Sequence, residues 1–137
     1  MSEANKTVVR KYYELLDKGD VDGMMALFSD DISWTFSGMG VLDKNALGGV
    51  IQAMRGAFPD MEHTVDAQST EGDRVTTPLT FRATHTGQLM EIPATGKSVD
   101  VRAINVHRIV NGQMVEAETV LDMMGIMQQI GVVPGPG

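Results

Sequence analysis

The chain has 137 residues, 42% of them hydrophobic, no cysteine and a formal net charge of −7. That length and apolar content suit one domain with a single core, and an acidic balance without a Lys/Arg cluster argues against a nucleic-acid or anionic-membrane surface. The missing thiols exclude a disulfide framework, a thiolate nucleophile and a Cys-based metal site. The opening MSEANKTVVRKYY lacks a signal-peptide pattern, and no apolar run approaches the ~20 residues that span a bilayer, so a soluble cytoplasmic protein is expected.

In chain order, Val8, Val9, Tyr12, Leu15 and Leu16 recur at helical spacing and predict a helix over Thr7 to Lys18, with Arg10, Lys11, Glu14 and Asp17 on its other face and Gly19 as its stop. Asp20 is an N-cap for a short second helix carrying Met24, Met25, Leu27 and Phe28. Asp43 caps a third, with Leu47, Val50, Ile51, Met54 and Phe58, ended by Pro59. From Met61 the period becomes two: His63, Val65 and Ala67 alternate with polar residues, and strands are predicted over Arg74 to Thr86, Lys97 to Val110 and Gln113 to Leu121. Helical spacing returns from Met123 to Ile130, and residues 132–137 read as a flexible tail behind one domain over 1–131. Helices followed by a run of strands predict an α+β domain with the helices on one face of a sheet.

Particular stretches carry a resemblance: Val8-Val9-Arg10-Lys11-Tyr12-Tyr13, Phe58-Pro59-Asp60, Gly72-Asp73-Arg74-Val75, Thr84-His85-Thr86-Gly87, Ile92-Pro93-Ala94-Thr95-Gly96-Lys97, Asn111-Gly112, Asp122 and Gln128-Gln129-Ile130-Gly131. From about Asn5 to Gly131 the chain resembles the SnoaL-like polyketide (ester) cyclase family of the nuclear transport factor 2-like, or cystatin-like, superfamily. The resemblance implies a cone-shaped curved antiparallel sheet with N-terminal helices packed on it, a central hydrophobic cavity for a hydrophobic small molecule, a homodimer, and no metal or organic cofactor. The family's anthracycline cyclases close a ring by aldol chemistry with an Asp on the last strand as acid/base and a Gln and a His on its neighbour. Those positions fall here on Thr119, Ala103 and Asn105, and a Thr hydroxyl is no base near neutral pH.

Which side chains replace them depends on the hairpin at Asn111-Gly112, since a one-residue slip exchanges the two faces of a strand. A two-residue turn sets His107 opposite Glu116 and Asn105 opposite Glu118. A three-residue turn with a bulge sets His107 opposite Val115, Asn105 opposite Ala117 and Ala103 opposite Thr119. The second is preferred, because it turns Val115, Ala117, Thr119 and Leu121 inward and keeps two carboxylates out of the core.

His107 is then the first candidate base, its ordinary pKa of about 6.5 suiting proton transfer near neutrality. The plainer role is a histidine satisfied by a backbone or cross-strand partner. Asn105 and Thr119 have the groups to hold a carbonyl or enolate oxygen, or to satisfy each other, with Ala103 and Ala117 lining the cavity. His85 either reaches the pocket mouth or hydrogen-bonds its following loop. Asp122 is the family-like acid, but it stands where the N-cap of the last helix belongs. Trp34 either stacks on a planar ligand or packs in the core, and the eleven methionines suit an adaptable pocket or a soft core.

No metal site is expected from His63, His85 and His107, which come from separate strands, and no phosphate loop accompanies Gly38-Met39-Gly40 or Gly48-Gly49. Two functions remain: a cofactor-free acid/base enzyme of cyclase or isomerase type acting on a polyketide-like or cyclic carbonyl compound, and a binding or accessory protein that keeps the cavity without the acid.

Overall fold

Val9, Tyr12, Tyr13 and Leu16 recur at i, i+3, i+4 and i+7 and are all buried, which sets the inner stripe of α1 (Ser2–Lys18) in a computed structural model that describes residues 2–134. Positions 135–137 of the expected tail lie outside the described residues. The helix begins five residues before the predicted Thr7, with Lys6 and Glu3 paired across one turn at 3.5 Å.

The second helix, α2 (Val21–Met25), is capped by Asp20, whose carboxylate accepts from Gly23 N–H at 2.9 Å. It is shorter than expected: Leu27 and Phe28 leave it, and Phe28 opens β1 (Phe28–Phe36). Met24 and Phe28 are four apart, which suits a helix. The backbone instead joins the sheet here, where Leu27 C=O accepts Met114 N–H at 2.8 Å. The edge strand β2 (Gly40–Leu42) follows, then α3 (Lys44–Ala57), capped by Asp43 onto Ala46 N–H at 2.8 Å.

Five strands complete the sheet: β3 (Glu62–Val65), β4 (Ser69–Glu71), β5 (Arg74–Thr84), β6 (Ser98–Val110) and β7 (Gln113–Leu121). The order is β2-β1-β7-β6-β5-β3, with β4 also on β5. The sheet is curved and unclosed. It is antiparallel except where β1 runs parallel to β7, so it is mixed. α1 lies against β3 and β5 and α3 against β1 and β2, while α4 (Met123–Gln129) lies against β6. On the outer face Pro78, Ile104 and Val120 form a row across three strands, Ile104 46% and Val120 56% exposed. No helix among the described residues is long and apolar enough to cross a membrane.

The hairpin departs from both expected registers. Asn111 and Gly112 both have positive φ, 53° and 77°, the requirement of a two-residue type I′ turn, and Val110 pairs with Gln113. A bulge then shifts the pairing between Arg108 and Ile109, so His107 faces Ala117, Asn105 faces Thr119 and Ala103 faces Leu121. Met114, fully buried opposite Ile109, takes the inward place expected of Val115. Without the bulge Glu116 and Glu118 would point into the core, at several kcal/mol each; with it both stay exposed.

Candidate active site

Directly paired rows of β5, β6 and β7 set Thr77, Asn105 and Thr119 side by side on the concave face, with Leu79, Ala103 and Leu121 two residues further along. α1 closes over them. The space between is an apolar chamber of about 70 Å³, whose polar lining comes from Tyr12, Tyr13, His63, Asn105 and Thr119. It abuts an outer apolar groove of about 480 Å³ that shares Phe36, Val50 and Met54 with it and is otherwise walled in part by Met39, Met90 and Met123. Four of the eleven methionines therefore surround the groove, where flexible thioethers adapt to a ligand's shape.

The strongest chemical pairing at the chamber wall joins α1 to β3. His63 Nδ1 lies 2.6 Å from Asp17 Oδ1, and His63 main-chain N–H donates to Asp17 Oδ2 at 2.8 Å. Asp17 thus holds both the strand and the ring. Tyr13 stacks on the imidazole, centroids 5.3 Å apart and planes 25° from parallel, and Phe81 tilts against it at 5.2 Å. With Nδ1 donating to the carboxylate, the lone pair is on Nε2, which makes no hydrogen bond among the described residues.

Beside the dyad, Asn105 Nδ2 donates to the Tyr13 phenol oxygen, while Asn105 Oδ1 is buried without a protein partner. Burial pushes the Tyr13 phenol well above its usual pKa, reinforced by Tyr12 and Asp17 and opposed only by the Asn105 bond. Tyr13 is therefore a protonated donor. Across the strand pair, Trp34 Nε1 donates to Thr119 Oγ1 at 2.7 Å.

The first candidate base is elsewhere. His107 is fully buried beneath the chamber, boxed by Trp34 at 5.0 Å, Tyr12 at 5.7 Å and Tyr13 at 6.4 Å between centroids, and it is not part of the chamber wall. Neither ring nitrogen has a partner, and burial lowers its pKa to about 3. A neutral imidazole walled off by aromatics cannot reach a substrate proton. Trp34, 1% exposed, is likewise core and has no face open for stacking on a ligand. Ala103, Asn105 and Thr119 do line the chamber; Ala117, opposite His107, lies below it.

His85 organises its loop. Fully buried, its Nδ1 accepts from Thr95 N–H at 3.3 Å and lies 2.9 Å from Thr95 Oγ1, away from the chamber. Asp122 caps α4, its carboxylate accepting from Gly125 N–H at 2.8 Å, and is exposed outside the chamber. Asp122→Ala is expected to cost about 0.5–2 kcal/mol in urea unfolding without changing ligand binding; unchanged stability with lost binding would overturn the cap assignment. On the outer face Arg102 lies 3.7 Å from Asp66, and neither lines the chamber. Among the described residues no three His, Asp or Glu side chains gather as metal ligands would.

Tyr13, Asp17 and His63 are the site residues that sequence reading passes over. Helical spacing sets Asp17 on the face other than the apolar stripe, yet it follows Tyr13 by four residues, which stacks the two on one flank of α1.

The SnoaL-like polyketide cyclase family model matches residues 6–130. No curated protein matches the chain. Among solved structures, AclR of Streptomyces galilaeus, a hydroxylase candidate, is 26% identical with a TM-score of 0.91 over 100% of this chain and 86% of AclR. IdmH of Streptomyces antibioticus, a polyketide cyclase candidate, is 27% identical with a TM-score of 0.84 over 93% of this chain and 98% of IdmH. A SnoaL-like protein of Jannaschia sp. CCS1, at 21% identity and a TM-score of 0.83 over 96% of this chain and 94% of its own, shares the fold. The helix-covered concave sheet is thus common to all three, and the match over nearly the whole length shows that this chain belongs to the SnoaL-like polyketide cyclase family.

Proposed function

We propose that the protein catalyses proton transfer at a carbon adjacent to a carbonyl in a hydrophobic polyketide-like or cyclic compound, a cyclase- or isomerase-type reaction with His63 as base and Asp17 as its anchor. The observation that carries this reading is the 2.6 Å His63–Asp17 contact at the wall of an apolar chamber. Asp17 fixes the proton on Nδ1, which leaves the Nε2 lone pair to accept the substrate's proton. The C–H electron pair moves onto the carbonyl oxygen as an enolate. Tyr13 O–H donates to that oxygen, because Asn105 Nδ2 already occupies a lone pair of the phenol and leaves its proton free. The enolate carbon then attacks a second carbonyl to form a ring bond, or is reprotonated at another position, and His63 returns the proton. The outer methionine-walled groove accommodates what the 70 Å³ chamber cannot.

The AclR and IdmH likenesses support small-molecule chemistry of this general kind and leave the reaction type to experiment. The test is hydrogen–deuterium exchange at the carbon between the carbonyls of 1-phenylbutane-1,3-dione, followed by NMR in D₂O with wild type and His63→Gln. Exchange faster than buffer in wild type alone is expected. Exchange equal in the two proteins removes His63 as base. Ligand binding without any acceleration would favour the binding or accessory function instead.

A further inference from the structure

Position 119 holds a hydroxyl whose surroundings define its task. Thr119 lines the chamber and is 7% exposed. Its main chain is clamped by Ser37, which gives both N–H and Oγ–H to Thr119 C=O at 3.0 Å while its Oγ accepts Leu121 N–H at 3.2 Å. Its hydroxyl oxygen takes the Trp34 indole N–H at 2.7 Å. Trp34 is itself immobilised, 1% exposed between Tyr12, Phe28 and His107 at 5.6, 5.5 and 5.0 Å.

An indole N–H only donates, so one lone pair of Thr119 Oγ1 is committed and the geometry of the hydroxyl is set from behind. Its own proton has no acceptor among the described residues. Asn105, on the neighbouring strand, performs the same service for Tyr13 of α1, its Nδ2 filling the phenol's lone pair. Asn105 and Thr119 are directly opposed in the ladder, an arrangement that puts Cβ atoms about 4.5–5.5 Å apart. Two hydroxyls at the wall of one apolar chamber are therefore each backed by an N–H donor and have a proton uncommitted among the described residues. Asn105 Oδ1, buried without a protein partner, is a third polar atom in that lining. Donors polarised from behind and held in a water-poor space suit an oxygen that gains negative charge.

We propose that Tyr13 and Thr119 form a two-donor clamp for the enolate oxygen, and that Trp34 is the positioning residue that makes Thr119 a donor. This rests on the enolisation reading above and adds its second arm. Thr119 thus stabilises charge without moving a proton.

The experiment needs no turnover. 4-Nitrophenol is titrated into wild type, Thr119→Val, Thr119→Ser, Trp34→Phe and Trp34→Phe/Thr119→Val at fixed pH, and the absorbance of the bound phenolate is compared with that of the bound phenol. The wild type is expected to bind the phenolate form preferentially. Thr119→Val, close in shape but without the hydroxyl, is expected to lower the bound phenolate-to-phenol ratio about tenfold. Thr119→Ser should restore it. Trp34→Phe should lower it less, and should add nothing in the Thr119→Val background, since it acts only through that hydroxyl. A ratio equal in wild type and Thr119→Val, a Trp34→Phe effect that survives removal of the hydroxyl, or no bound 4-nitrophenol at all would overturn the clamp. If the ratio responds as expected while His63→Gln leaves proton exchange untouched, the clamp stands and the base assignment falls.

Discussion

Asp17→Asn is expected to slow deuterium exchange of the dicarbonyl probe by about 10²–10⁴, nearly as much as His63→Gln, and the double variant is expected to be no slower than the worse single one. The reason lies in how fully the carboxylate is used. One oxygen accepts the His63 main-chain N–H at 2.8 Å and the other faces ring Nδ1 at 2.6 Å. An amide has only one oxygen. Set against the main-chain N–H, as a donor must be, it turns its NH₂ toward the ring, and Nδ1 then has to be the acceptor. The ring proton moves to Nε2, and the nitrogen facing the chemistry loses its lone pair. The protein keeps its fold and its pocket but holds the wrong tautomer, the kind of loss known for an Asp→Asn change behind a catalytic histidine. Binding of 4-nitrophenol and the urea midpoint, measured on the same samples, separate this from unfolding. Exchange within threefold of wild type in a folded Asp17→Asn protein would show that the dyad is a strut between α1 and β3 and not a base.

The parts of the molecule that were legible are those governed by a local period. The alternation of Gln113 to Leu121 marks β7 over its observed bounds, and Asp43 and Asp122 announce the helices they cap. Which face of the strand is buried was also legible for Ala117 and Thr119, because Glu116 and Glu118, two residues apart and so on the opposite face, have only one tolerable orientation. The means was not. A type I′ turn followed by a bulge reaches the same facing as the expected turn, and the bulge consists of one additional residue that no period reveals. The parallel pairing of β1 with β7 is likewise a long-range choice, made where the sheet's edge must be covered.

The site was less legible because His63 and His107 look alike along the chain. Both point inward, His63 from the short edge strand and His107 from the long central one. What distinguishes them is depth. His63 reaches the chamber wall and finds a carboxylate 46 residues away, whereas His107 lies under three aromatic rings contributed by α1 and β1. Neither neighbourhood can be read from flanking residues. Trp34 illustrates the same limit, since its importance comes from an N–H that crosses 85 positions to Thr119.

Depth also gives His107 a large and measurable consequence. Its pKa falls from 6.5 to about 3 because burial removes water from the charged imidazolium, and no acid lies beside it to compensate. The rings facing it, Tyr12 and Tyr13 from α1 and Trp34 from β1, carry no charge in acid, since burial raises both phenols. Between pH 6.5 and pH 3 the unfolded chain binds a proton at this position that the folded chain refuses. Stability therefore rises with pH across that window and is lost as pH falls, at roughly 1.4 kcal/mol per unit and up to roughly 3–5 kcal/mol in all. Acid unfolding also draws on the rest of the chain, so wild type alone does not isolate the effect. His107→Leu does, because every other group is common to both proteins. The leucine is of similar size and removes two buried nitrogens that have no hydrogen-bond partner. At pH 7 the variant is expected within about 1.5 kcal/mol of wild type, and at pH 4.5 it should gain a further 2–3 kcal/mol or so relative to it. Urea unfolding at half-unit pH steps reads this directly. Parallel profiles for the two proteins would mean that the folded state admits a proton to His107 after all, and with it that the aromatic box opens far enough for the ring to meet solvent.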